Sequence, residues 1–175
     1  MEADSLLEFL KSRRSIRRFE NREIPEELLF KILETARWAP SSKNKQPWEF
    51  ILVRNRDTLT KMSQLSPGAW PLRGASAAVV VVVDPETAPI TYLIDGALVS
   101  LYIQLSAHAL GLGTVWIEAL KITAGLRELL KIPEKLVPVS VIAMGYPAES
   151  PQPRPRKPLS EILHREEYGR REVGL

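Results

Sequence analysis

Residues Ala77–Val83 read AAVVVVV, an apolar and largely β-branched run stopped by Asp84 and Pro85. Seven residues cannot cross a membrane, and valine packs well on a pleated backbone. The run is expected to be a strand buried on both faces inside a sheet. Downstream, residues 91–110 are apolar nearly all round, which predicts a central helix ended by Gly111. A strand over 114–117 follows, then a helix over 124–130 capped by Thr123 and ended by Pro133, and a last central strand over 137–144. Upstream lie a strand at Trp48–Val53 and a short helix from an Asp57 cap to Leu65. Pro67, Gly68, Pro71 and Gly74 mark an irregular connection with Trp70 as packing. Pro25 opens a helix with a Leu28, Leu29, Ile32, Leu33 and Ala36 stripe, ending near Trp38, and residues 5–12 form a short amphipathic helix. The order is mixed, neither strict βαβ nor all-α.

At 175 residues the chain has the size of one domain, 1–175, with no internal repeat. Its 45% hydrophobic and 26% charged residues exclude disorder for most of the length. The absence of cysteine removes disulfides, thiolate nucleophiles, zinc-thiolate sites and iron-sulfur clusters together, so redox chemistry must come from a bound cofactor. A formal charge of +3 is too small a surplus to demand nucleic acid. Glu2, Asp4 and Glu8 interrupt any leader-like opening, and Gln104, His108 and Glu118 break the longest apolar stretch, so a cytoplasmic protein with no membrane partner is expected. Five prolines between residues 147 and 158 make that stretch extended. Leu159, Ile162, Leu163 and Tyr168 beyond it are apolar anchors, so 147–175 is expected to be an arm docked on a second copy of the chain.

Two constellations can carry chemistry. Arg13, Arg14 and Arg17 place three guanidiniums within five residues, with the Ser15 hydroxyl between them, and helical continuation would put Arg13 and Arg17 on one face. Fork-shaped donors that never lose their charge suit a dianionic phosphate. The same run also fits a solvated charged end partnered by Glu20, or a nucleic-acid contact. The loop at 39–47, APSSKNKQP, offers hydroxyls and amides that both donate and accept, as a planar heterocycle needs, although ordinary turns use the same residues. Gly111 and Gly113 follow a helix rather than a strand, which excludes a dinucleotide-binding turn. His108 and His164 have no metal-ligand spacing, no metal site is expected, and His108 reads as a core residue.

Together, RRSIRRF at 13–19, APSSKNKQPWEF at 39–50, GLGTVWIEAL at 111–120 and MGYPAESPQPRPRKPL at 144–159 resemble the flavin-dependent nitroreductase family, in the family's order. The resemblance implies an α+β fold with a mostly antiparallel sheet flanked by helices, and an intertwined homodimer holding FMN at the subunit interface. Arg13, Arg14, Ser15 and Arg17 match the segment that grips the FMN phosphate, ribityl chain and pyrimidine edge, with Arg156 as a further phosphate contact. Pro40, Ser41, Ser42, Asn44 and Gln46 match the loop presented by the other subunit. Ile117 and Glu118 match the stretch whose backbone lies beside the flavin, while Trp116 and Ala119 stand where larger members often carry Pro and Gly. The implied activity is ping-pong transfer of hydride from NADH or NADPH through flavin N5 to nitroaromatic, quinone or similar planar acceptors, with no catalytic acid or base. Residues 65–74 are the expected lid. Two alternatives stand beside it: a specialised flavoenzyme for reductive dehalogenation or oxygen-dependent flavin chemistry, and a non-enzymatic nucleic-acid-binding module using residues 13–22.

Overall fold

The valine run is the hub of the molecule. In the computed structural model, which describes residues 2–171, all seven of its residues are buried. The elements are α1 (Ala3–Ser12), α2 (Glu26–Ala36), β1 (Trp48–Val53), α3 (Arg56–Ser63), β2 (Ala77–Val83), α4 (Tyr92–Ala109), β3 (Gly113–Glu118), α5 (Thr123–Leu130), β4 (Val137–Gly145) and α6 (Leu159–Ile162). The four strands form one antiparallel sheet in the order β1-β2-β4-β3. Alternation along β2 divides the core. Ala78, Val80 and Val82 face Leu59, Met62, Leu72 and Leu126 on one side, whereas Val79, Val81 and Val83 face Leu29, Ile32, Val99 and Ile103 of α2 and α4 on the other. Both faces are therefore covered, and the strand needs no polar side.

The helix α4 approaches the sheet closely. A Cβ on Gly96 would stand 2.9 Å from both Val83 Cγ1 and Val139 Cγ2, and Ser100 meets Ser140 across a 2.7 Å hydroxyl contact. A bulge in β4 leaves Val139 without an opposite residue where Ser140 faces Val81 and Pro138 faces Val82. Proline, lacking an N–H, is tolerated at such a break.

Several expectations need correction. The α3 cap is Asn55, whose side chain accepts from the Thr58 N–H at 2.9 Å, rather than Asp57. Thr123 is the first residue of α5, and its hydroxyl donates back to the Ala119 and Leu120 carbonyls instead of capping. That helix ends at Lys131 in a left-handed conformation, two residues before Pro133. Trp70, in a 3₁₀ turn at Pro67–Arg73, is half in solvent rather than packed. Of the arm, residues 147–158 form neither helix nor regular strand, and Leu159, Ile162 and Tyr168 lie exposed on this chain; Met1 and residues 172–175 are outside the described residues.

Candidate functional site

The helix α1 stops at Ser12. Arg13 is already extended, with φ −56° and ψ 131°, so the helical face expected for Arg13 and Arg17 does not exist. Long-range bonds override local helical preference here. The Ile16 N–H donates to the Thr114 carbonyl at 2.9 Å, the Glu20 N–H to Tyr146 at 2.9 Å, and the Ala148 N–H to Arg18 at 3.0 Å. The segment 13–20 thus lies over the adjoining ends of β3 and β4. Gly113 and Gly145, paired in the sheet, make room for it: a Cβ on Gly113 would stand 2.7 Å from Ile16 Cβ, and one on Gly145 would stand 2.9 Å from Phe19.

Residues 151–156 run back alongside this segment. Between them lies a cavity of about 140 Å³ lined by Arg13, Arg14, Ser15, Arg17, Arg154 and Arg156, together with Pro151 and Gln152. Among the described residues no acidic side chain lines it. None of the five guanidiniums is ion-paired with a carboxylate among the described residues. Arg14 Nη1 is satisfied by the Lys11 and Arg13 carbonyls, but Arg13 Nη1 is buried without a hydrogen-bond partner. Burial, and then the neighbouring Arg14 and Arg156 charges, push the Arg13 guanidinium below its ordinary pKa. A cluster of like charges with one donor left over has the chemistry that suits an anion. A phosphate dianion fits it, because it would accept from the orphaned donor and relieve the repulsion. Arg154 was missed in the sequence, although its alternate spacing with Arg156 in an extended stretch favours one common side.

Beside this cavity opens a cleft of about 450 Å³ lined by Ser12, Arg13, Arg14, His108 and the 111–114 turn. His108 is half-buried rather than a core residue: its Nε2 meets Ser12 Oγ at 2.8 Å and its ring stacks on Phe9. Burial first, then Arg13 and Arg14, hold it below the usual histidine pKa.

The second constellation lies elsewhere. Ser41, Ser42, Asn44 and Gln46 sit beside the N-terminal end of α4, where the Ser42 N–H donates to buried Asp95 at 3.2 Å, and Asp95 also accepts from Thr91 at 2.8 Å. Lys43, Asn44 and Gln46 all have φ near +50°, a conformation that ordinary residues hold only when the surroundings impose it. Asp95 is the anchor that sequence reading passed over. His108 lies near the opposite end of the 18-residue α4, so from Asp95 to His108 about 20 Å of helix separates the loop from the arginine cleft. Pro40 goes with the loop. Ile117 and Glu118 close the far end of β3, with Glu118 paired to Lys121 at 3.4 Å, and neither lines the arginine cavity. One chain therefore brings Arg13, Arg14, Ser15, Arg17 and Arg156 together and leaves the loop and the β3 end apart. Among the described residues no cluster of side chains suited to a metal occurs, and no helix is long and apolar enough to cross a membrane.

The family model described as the Nitroreductase family matches residues 10–99 and 72–146. The chain belongs to the nitroreductase family. It is 43% identical over 154 residues to a Methanothermobacter thermautotrophicus protein provisionally named NADH dehydrogenase/NAD(P)H nitroreductase, covering 85% of this chain and 81% of the relative. Among solved structures, an FMN-dependent nitroreductase from Clostridium difficile superposes with a TM-score of 0.87 at 34% identity, covering 93% of this chain and 99% of the other. A provisionally named nitroreductase from Desulfovibrio desulfuricans, solved in complex with FMN, gives 0.85 at 30% identity, with 93% and 97% covered. The nitroreductase resemblance, the α+β fold with its antiparallel sheet, and the expectation of an FMN-dependent oxidoreductase are borne out.

Proposed function

We propose that this nitroreductase-family chain works as an FMN-dependent NAD(P)H oxidoreductase on nitroaromatic, quinone or similar planar acceptors, with its site completed by a second copy of itself. The observation that carries the reading is the acid-free arginine cavity with the orphaned Arg13 donor. Arg13, Arg14, Arg154 and Arg156 hold the phosphate of FMN, and Ser15 and Arg17 hold the ribityl and pyrimidine end. Bound FMN supplies the hydride chemistry, taking two electrons from NADH or NADPH and passing them to the acceptor. The chain's own part is placement and electrostatics: its guanidiniums favour negative charge on whatever they hold, and main-chain groups of Ile117 and Glu118 line the ring. No side chain is assigned a proton-transfer role.

The exposed face of α4 supports the dimer. Leu93, Ile94 and Leu101 are exposed on its outer face, and Ile90 just before it is almost wholly exposed. Two such faces paired about a two-fold axis perpendicular to α4 run antiparallel, which sets the N-terminal end of one α4 against the C-terminal end of the other. That pairing carries Pro40, Ser41, Ser42, Asn44 and Gln46 of one copy to the arginines of its partner. Residues 147–175 then form the arm that lays Leu159, Ile162 and Tyr168 on the partner, within a single domain spanning 1–175. The cytoplasmic location expected from the sequence belongs to the same reading, since reduced nicotinamides are regenerated there.

Purified protein reconstituted with FMN should stay yellow through gel filtration, bleach on NADH or NADPH, and recover colour with menadione or nitrofurazone. Failure to retain FMN, or RNA binding that falls steeply with salt and ignores FMN, would overturn the proposal.

A further inference from the structure

Among the described residues Glu149 is the one acid lining a cleft with these arginines, and it forms an ion pair with none of them. It lines the larger cleft next to Arg13 and Arg14, yet its Oε1 accepts from the main-chain N–H groups of Arg17 at 2.6 Å and Arg18 at 3.2 Å. In a regular strand successive N–H groups point to opposite sides. Two of them converging on one oxygen require a bend, and the bend parts the two side chains: Arg17 lines the phosphate-sized cavity and Arg18 does not. The bond spans 132 residues and ties the arginine segment to the start of the arm. Immediately beyond Glu149, the same arm supplies Arg154 and Arg156.

We infer that Glu149 is a positioning residue: its Oε1, accepting from two backbone amides, bends the chain at Arg17 so that arginines from both ends of the sequence converge on one anion. The bend needs an oxygen that accepts from both amides at once, and the charge of the carboxylate only strengthens those bonds. An ion pair with a guanidinium would instead compete with the ligand. The inference rests on the FMN reading for the identity of that anion, but the bend does not.

The test uses full-length Glu149→Ala and Glu149→Gln. Glutamine keeps an oxygen that accepts from both amides and loses the charge, while alanine loses both. In flavin-free protein, amide exchange at Arg17 and Arg18, followed by NMR, should accelerate at least about tenfold in E149A and stay near wild type in E149Q. FMN affinity, from quenching of flavin fluorescence, should weaken about tenfold or more in E149A and change less than about threefold in E149Q, as expected for losing a hydrogen bond to a charged group. Unaltered exchange in E149A would overturn the bend, and E149Q as impaired as E149A would overturn the acceptor role. Fast exchange in E149A with wild-type FMN affinity would overturn the positioning role. If no variant, wild type included, binds FMN, the function proposal fails while the exchange data still judge the bend.

Discussion

Gly113→Ala tests how the site is built without touching any group that would contact a ligand. The added Cβ would stand 2.7, 2.8 and 2.8 Å from Cβ, Cγ1 and Cγ2 of Ile16. Carbon atoms rest at about 3.5–4.0 Å, so Ile16 must retreat by about 1 Å. No rotamer relieves the shortest contact, because Cβ moves only with the backbone, and that backbone is bonded to Thr114 next door to Gly113. Overpacking of this kind costs about 1–3 kcal/mol, and at about 2–4 °C per kcal/mol for a domain of this size the Tm should fall by about 2–12 °C. The strand that retreats is the one carrying Arg13 and Arg17. Moving a charge-assisted bond of about 2.8 Å outward by about 1 Å forfeits it, worth about 1.5–3 kcal/mol, or about 10- to 150-fold in FMN affinity. Thermal unfolding of the flavin-free protein and fluorescence titration with FMN measure the two effects separately. A double-mutant cycle with Ile16→Gly, which removes all three clashing atoms, should show strong coupling. A G113A protein with wild-type Tm would refute the close approach. A lowered Tm with unchanged FMN affinity would refute the link between that approach and the arginines.

Arg13→Ala or Arg17→Ala should weaken FMN binding by about 1.5–3 kcal/mol in equilibrium dialysis, and unchanged affinity in both would contradict the placing of FMN on these arginines. Ile94→Asp, on the exposed face of α4, should yield a monomer by light scattering that no longer retains FMN; a flavin-loaded monomer would contradict a shared site. His108 should titrate below its ordinary 6.5 in flavin-free protein, seen by NMR, and move upward when FMN binds, because a dianion offsets Arg13 and Arg14. The unfolded chain takes up that proton first, so the His108 contribution lowers stability as pH falls from about 6.5 through the depressed value, and His108→Gln should flatten this part of the pH profile.

What could be read in advance depended on how far away each determinant lay. Burial on both faces leaves a strand uniformly apolar, so Ala77–Val83 announced itself, and α4 did likewise because its inner face meets the sheet while its outer face stays apolar. The arginine cluster was legible as residue types but not as geometry. Whether Arg13 continues a helix is decided by the Thr114 carbonyl and the Glu149 carboxylate, 98 and 132 residues further on than Ile16 and Arg17 that bind them. Gly113 and Gly145 are intelligible only once β3 and β4 are paired, since neither glycine by itself says that another strand crosses it. Asp95 lay hidden in a helix whose apolar pattern drew attention away from its one buried acid, yet it anchors the loop through the Ser42 N–H. The two halves of the proposed site sit at opposite ends of one helix, and the proposed two-fold pairing is what would join them. On that reading motifs 13–17 and 40–46, near neighbours in sequence, serve two different copies of the site rather than meeting within one.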